Sequence, residues 1–213
     1  MILFLDTVAP LPEFSIIEDN KIIYCEKIIK KEGNKMSDSI IPSYNYLDSK
    51  FSLDQNIKFL ITNTGPGSYT ALRVGISFLS GLSISKKINL IGVSCFDLFN
   101  YIILEDDNLQ TSAFFITSSN NQRFIYLFNS KANKYKVYKI EKDNMLESEN
   151  IPFINTIYTN DELGLLGIDS LKNINIKKIF FNKIVKLNIK KILSIPIQDI
   201  VNPIYIANNK LLS

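Results

Sequence analysis

Histidine is missing from all 213 residues, and cysteine occurs only at Cys25 and Cys95. Without imidazole the chain lacks the usual neutral-pH base, the His of a catalytic triad and the commonest metal ligand. Two cysteines seventy positions apart supply neither a disulfide framework nor the ligand set of a zinc site. Arginine is almost as scarce, at Arg73 and Arg123 only, so the basic side is nearly all lysine. Lysine, isoleucine and asparagine are abundant together, as AT-rich coding favours, so a lysine here says little and an arginine says more. Long apolar runs are lacking too. None approaches the ~20 residues that span a bilayer. The opening Ile2-Leu3-Phe4-Leu5-Asp6 has neither the basic start nor the length of a signal peptide. The expectation is a cytoplasmic protein with no membrane partner.

What is present is an ordinary globular composition, 46% hydrophobic and 21% charged. That excludes a disordered chain. The net charge of +3 neither demands nor forbids a nucleic-acid partner.

Along the chain, Ile2 to Leu5 reads as a buried strand ending at Asp6, and 14–18 with 21–29 as a hairpin across Asp19-Asn20. Gly33-Asn34 breaks the pattern. Ile40, Tyr44, Leu47 and Phe51 form one apolar face of a helix over 37–51. A strand at 58–62 runs into Asn63-Thr64-Gly65-Pro66-Gly67, and a helix opens at Ser68 and continues to about Ser85. A strand at 90–93 follows, then a helix to about Leu104 signalled by the Ser94-x-x-Asp97 cap. The polar break at 105–108 marks a domain boundary, giving a first lobe at 1–104 and a second at 105–213, with the tail from about 200 returning to the first. In the second lobe, strands are expected at 112–117, 124–129, 135–140, 153–158 and 174–181, a turn at Gly164 and Gly167, and a helix over 183–193. No internal repeat recurs at a fixed period. A hairpin-led sheet followed by strand–helix alternation predicts an α/β chain in two lobes.

The informative stretch runs from Thr64 to Gly75. Its glycines permit positive φ and close backbone approach, Pro66 stiffens the turn, and Ser68 or Thr70 can cap the helix. Free N–H groups at such an end suit an anion. Yet there is no Gly-Lys-Ser/Thr, and Thr70 stands where a third dinucleotide-loop glycine belongs. A strand-to-helix turn packed in the core is the plainer reading. The helix itself is apolar or small nearly all round, with no charge between Arg73 and Lys86. It must be covered, by the second lobe or by a partner.

This stretch resembles the bacterial TsaB (YeaZ) family, whose pattern is Gly-Pro-Gly-Ser-Phe-Thr-Gly-x-Arg-x-Gly. The chain has it as Gly65, Pro66, Gly67, Ser68, Thr70, Arg73 and Gly75, with Tyr69 for phenylalanine and Ala71 for the third glycine. Leu5-Asp6-Thr7, Gly81-Leu82, Ile91-Gly92-Val93-Ser94 and Asn202-Pro203-Ile204-Tyr205 match flanking landmarks. The resemblance covers about the first hundred residues. It implies an actin-like, ribonuclease-H-like fold in two lobes, of the sugar kinase and Hsp70 superfold, with a Gcp-like (glycoprotease-like) domain. It also implies a non-catalytic role in making threonylcarbamoyladenosine beside the tRNA anticodon. The partner would be the TsaD paralogue, which holds the metal and nucleotide; the ATPase TsaE joins them, and TsaC supplies the threonylcarbamoyl-adenylate. This chain itself would bind no cofactor or metal and would touch tRNA only indirectly or weakly. The resemblance places the TsaD interface, and a homodimer competing with it, on two helices. In this sequence they offer Ile40, Tyr44, Leu47, Ala71, Val74, Gly75, Phe78, Gly81 and Leu82.

Departures from the family are a lost histidine near Met36 and the segment 119–124, where the family's Asp-Ala-Arg-x-x-Glu is not reproduced and Arg123 stands nearest its arginine. The alternative reading is an autonomous actin-like ATPase or small-molecule kinase. Such enzymes place Asp-x-Gly after the first strand, whereas here Asp6 precedes Thr7-Val8-Ala9, which suits a carboxylate bonding a neighbouring turn. Protease chemistry would need clustered histidines. Lysines 172, 177, 178, 183, 186, 190 and 191, with no acid between Asp169 and Asp199, offer a nucleic-acid face or simply a solvated one. No aromatic platform interleaves them. The acids Glu141, Asp143, Glu147 and Glu149 read as solvated.

Overall fold

A computed structural model describes residues 1–28, 35–103, 112–119, 121–129, 134–140, 154–161, 174–197 and 200–205. The first sheet is built from β1 (Ile2–Asp6), β2 (Glu13–Glu18), β3 (Lys21–Lys27), β4 (Phe59–Asn63) and β5 (Asn89–Val93), in the order β3-β2-β1-β4-β5. The first three form an antiparallel meander, while β4 runs parallel to β1 and β5 parallel to β4. The hairpin turns at Asp19 and Asn20, both left-handed with φ of 46° and 62°. Asp and Asn tolerate that region better than other side-chain-bearing residues.

The second sheet repeats this plan. It contains β6 (Ser112–Thr117), β7 (Arg123–Asn129), β8 (Lys134–Ile140), β9 (Thr156–Thr159) and β10 (Asn175–Lys178), in the order β10-β9-β6-β7-β8. Again an antiparallel meander leads, and two parallel strands follow on the other side of its first strand. The duplication is one of topology without any sequence period. The boundary expected at 104/105 lies outside the described residues, as do Gly33-Asn34, Gly164, Gly167, Lys172 and the acids at 141–149.

Strand alternation divides the core. On one face of the first sheet, Leu3, Leu5, Phe14, Ile16, Leu60 and Leu90 pack under α1 (Met36–Phe51), α2 (Leu53–Asn56) and α3 (Tyr69–Lys86). On the other, Phe4, Ile17, Ile61, Ile91 and Val93 meet α4 (Cys95–Ile103), α5 (Phe181–Leu187) and α6 (Ile189–Leu193). That same cluster takes in Phe114, Ile116, Phe124, Tyr126 and Tyr158 of the second sheet. One continuous apolar layer therefore joins the lobes.

The capping box of α4 forms as the sequence predicts. The Ser94 N–H donates to Asp97 Oδ2 at 2.9 Å, and the Asp97 N–H donates to Ser94 Oγ at 3.1 Å. Two expectations near the end of the chain need correction. The strand expected over 174–181 stops at Lys178, and Phe181 opens α5, because its ring is drawn into the layer between the sheets. The single helix expected over 183–193 is two, divided at Asn188, whose side-chain N–H donates to the Ile184 carbonyl at 3.1 Å and competes with the helix ladder.

Candidate functional site

The Gly-Pro-Gly turn joins β4 to α3, and several of its polar groups bond within the fold, although the buried Asn63 Nδ2 has no hydrogen-bond partner among the described residues. Asn63 Oδ1 accepts the Gly65 N–H at 3.0 Å and the Cys95 thiol at 3.4 Å. The Gly65 carbonyl receives the Cys95 N–H at 2.8 Å, and the Thr64 carbonyl receives the Ile204 N–H at 2.8 Å. From the second sheet, the Tyr126 hydroxyl donates to the Pro66 carbonyl at 3.4 Å. Gly65 has φ +96°, and a Cβ there would meet Leu72 Cδ1 at 2.8 Å and the Ile204 carbonyl at 3.0 Å. Only glycine satisfies both demands. Ser68 caps α3 by accepting the Ala71 N–H, whereas Thr70 is exposed. The turn thus gathers β4, α4, the tail and the second lobe at one point. Burial pushes the Cys95 thiol well up, so it is no nucleophile.

Asp6 ends β1 inside the same region and is 3% exposed. Its Oδ1 accepts the Val8 N–H at 2.9 Å and the Ala9 N–H at 3.2 Å. Those are backbone donors of the loop after the first strand, closed here by the chain's own carboxylate. Burial pushes the Asp6 carboxyl from 3.8 up to about 7, opposed by the two N–H bonds; Glu13 adds to the rise and Lys27 reduces it. Between those pH values the folded protein keeps a proton that the unfolded chain releases, so stability falls as pH rises from 3.8 to about 7. The loss should be on the order of a few kcal/mol. Asp6→Asn keeps an acceptor for the loop without a titrating group, and its urea midpoint should stay flat over that range. A wild-type midpoint equally flat would refute the buried-acid assignment.

Beside Asp6 a cavity of about 290 Å³ opens between the lobes, edged by Glu13, Lys27, Asn160 and Lys178. It falls just below the ~300–1,000 Å³ of ordinary small-molecule sites. Its lining includes no glycine to admit a phosphate against the backbone. Among the described residues no three His, Cys, Asp or Glu side chains gather as metal ligands.

The open surface lies elsewhere, on α3. Ala71, Leu72, Gly75, Ile76 and Leu79 face inward, while Tyr69, Thr70, Arg73, Ser77, Gly81 and Ile84 face outward. Among the described residues, the second lobe packs on the far side of the first sheet, and this face of α3 is left exposed. A Cβ on Gly81 would meet nothing within 4 Å, and Ile84 is 80% exposed. The tail at 201–205 runs alongside, and between it and α3 lies a groove of about 630 Å³. Tyr205 packs on Tyr69 with ring centroids 4.6 Å apart, and the Arg73 guanidinium lies 4.8 Å from the centroid of the same Tyr69 ring.

The residues expected at a partner interface divide between core and surface. Ile40, Tyr44, Leu47, Ala71 and Gly75 are buried within the lobe. The α1 stripe faces Phe14 and Phe78, with Tyr44 edge-on to both at 6.5 and 5.5 Å. A Cβ on Gly75 would lie 2.5 Å from Thr7 Cγ2, so this glycine lets α3 reach β1. Val74, Phe78 and Leu82 are half-buried, and Gly81 alone of the set is exposed. Arg73, expected only in the motif turn, instead edges the groove, and Ser77, Ile84 and Tyr205 were not expected there. The outward spacing of positions 73, 77, 81 and 84 was readable as one helical face, but nothing local in the sequence sets Tyr205 beside it. Lys183, Lys190 and Lys191 are exposed, with Lys183 placed 4.4 Å from the Phe180 ring centroid. Arg123 begins β7 opposite Thr117.

Comparison with known proteins bears on fold and family. No curated protein matches the sequence. A crystal structure of an uncharacterized protein with similarity to peptidase YEAZ, from Pseudomonas aeruginosa, is 13% identical, covers 97% of this chain and 99% of its own, and has a TM-score of 0.63. YeaZ from Pseudomonas aeruginosa is 10% identical over 96% of this chain and 99% of its own, with a TM-score of 0.58. The actin-like, two-lobed α/β fold is therefore shared. No described helix is long and apolar enough to cross a membrane. Residues 35–190 match the family described as "TsaD: tRNA N6-adenosine threonylcarbamoyltransferase", and since that match spans most of the sequence, the chain belongs to this family.

Proposed function

We propose that this chain is a non-catalytic subunit that binds a TsaD-type paralogue and supports threonylcarbamoyl modification of adenosine in tRNA. The observation that carries this reading is Asp6. In an actin-like enzyme the loop after the first strand offers its N–H groups to a phosphate; here the Val8 and Ala9 N–H groups are held by Asp6 Oδ1. The residues of this loop do not fit a nucleotide phosphate. The apolar layer from Phe4 to Tyr126 fills much of the space between the lobes. Catalysis, with its ATP and metal, then belongs to the paralogue, and TsaE joins the pair. tRNA meets this chain indirectly or weakly, and a homodimer forms when the paralogue is absent.

The test has two arms. Titration of the isolated protein with ATP and magnesium should give no heat at micromolar ligand. Co-expression with the TsaD-type paralogue from the same genome should give a complex that survives gel filtration. Micromolar ATP binding by this chain alone would favour the autonomous ATPase or kinase, and failure to form the complex would overturn the subunit role.

A further inference from the structure

The end of α1 meets β3 in a cluster of aromatic rings around one ammonium. Tyr46, Lys50 and Phe51 come from the last turns of the helix, and Tyr24 from the edge strand of the first sheet. The Lys50 ammonium lies 3.9 Å from the centroid of the Tyr24 ring, 5.4 Å from that of Phe51 and 5.9 Å from that of Tyr46. The Tyr24 and Phe51 rings are 5.3 Å apart and tilted by 50°, so they make two walls of a corner and not a stack. The Tyr24 and Tyr46 hydroxyls meet at 3.4 Å and join the third wall to the first. The Tyr24 hydroxyl also donates to Glu26 Oε2 at 3.4 Å, which adds a buried carboxylate to the cluster. Tyr24 and Phe51 are half-buried against the first-lobe core, so these walls are fixed.

Lys50 is a poor occupant of such a corner. Its ammonium carries three N–H donors, and ring faces satisfy none of them as well as water does. Among the described residues no carboxylate pairs with it. Nor is it needed to hold the helix end. The Ser52 N–H donates to the Asp48 carbonyl at 2.7 Å, the Asp54 N–H donates to Asp48 Oδ1 at 2.7 Å, and Leu47 and Leu53 are fully buried on either side. Lys50 is exposed, and rotation of its stem clears the corner without moving the backbone.

We propose that Tyr24, Tyr46 and Phe51 form a binding site for a trimethylammonium group, occupied by Lys50 until such a cation displaces it. A quaternary ammonium has the charge that ring faces attract and no N–H to leave unsatisfied, and its greater size lets it touch three rings at once. Glu26 adds charge of the right sign. None of these residues lines the groove beside α3, so the site is independent of the subunit reading. The ligand is a small soluble cation of the choline type or the same group on a lipid headgroup.

NMR titration of choline into wild type, Lys50→Ala and the Lys50→Ala/Tyr46→Ala double variant tests this, with neohexyl alcohol as the uncharged carbon isostere. Lys50→Ala removes the internal competitor and should bind choline about tenfold more tightly than wild type. Loss of the Tyr46 wall in that background should weaken binding about tenfold. Neohexyl alcohol should bind Lys50→Ala at least about tenfold more weakly than choline does. Both substituted side chains are exposed, so thermal melts should match wild type. Capture of Lys50→Ala by phosphatidylcholine vesicles, reversed by free choline, would identify the lipid headgroup; choline binding without vesicle capture would identify the soluble cation. Should Lys50→Ala bind choline no better than wild type, should the Tyr46 wall prove dispensable, or should neohexyl alcohol bind as tightly as choline, the site is overturned while the subunit reading stands.

Discussion

Phe99→Ala should lower the unfolding free energy by about 3–5 kcal/mol. Phe99 is fully buried in α4. Its ring stacks on Phe114 of the second sheet at 3.9 Å, meets Tyr126 edge-on at 4.9 Å and touches Phe181 of α5 at 6.4 Å. One side chain thus fills the space where both sheets and the late helices converge. The neighbours are rings and strands held by their own hydrogen bonds, so little collapse can refill the void. Urea unfolding followed by tyrosine fluorescence measures the loss. A cost below about 1 kcal/mol would mean that the apolar layer does not hold the lobes together.

Gly81→Arg should leave the fold intact and weaken association with the paralogue by about a hundredfold or more. The two effects have opposite origins. In the free chain a side chain at Gly81 meets nothing within 4 Å, so the arginine extends into water. Removing a mid-helix glycine should even raise stability by up to about 1 kcal/mol. In the proposed complex the same arginine would occupy the space through which a partner backbone would approach α3. Thermal melting and surface plasmon resonance on one preparation separate these outcomes. A mutant that melts normally and binds normally would remove the α3 face from the interface.

Local signals in the sequence carried much of the first lobe. The Asp19-Asn20 hairpin, the Ser94–Asp97 box and the helix opening at Ser68 each depend on a few adjacent residues. The bonding of Asp6 to a neighbouring turn was likewise implied by the absence of a glycine after it. The duplicated topology was not readable, because strand order is fixed by pairings between distant segments and the two halves share no residue pattern. Nor does an apolar stripe reveal what covers it. Ile40, Tyr44 and Leu47 have the spacing of an interface and of a core alike, and Phe14 together with Phe78 decides for the core. Asn188 likewise matters only once the layer beneath α5 and α6 constrains where each helix points.

The hydrogen bond from Ile204 to Thr64 has a consequence for timing. The groove takes one wall from residues 73–84 and the other from residues 201–205, so no partial chain can present it. The first sheet and α3 precede the tail in the chain, and the groove exists only after residues 201–205 have been made and have returned to the first lobe. Any ligand that needed both walls would be kept from engaging a chain not yet synthesised through Tyr205.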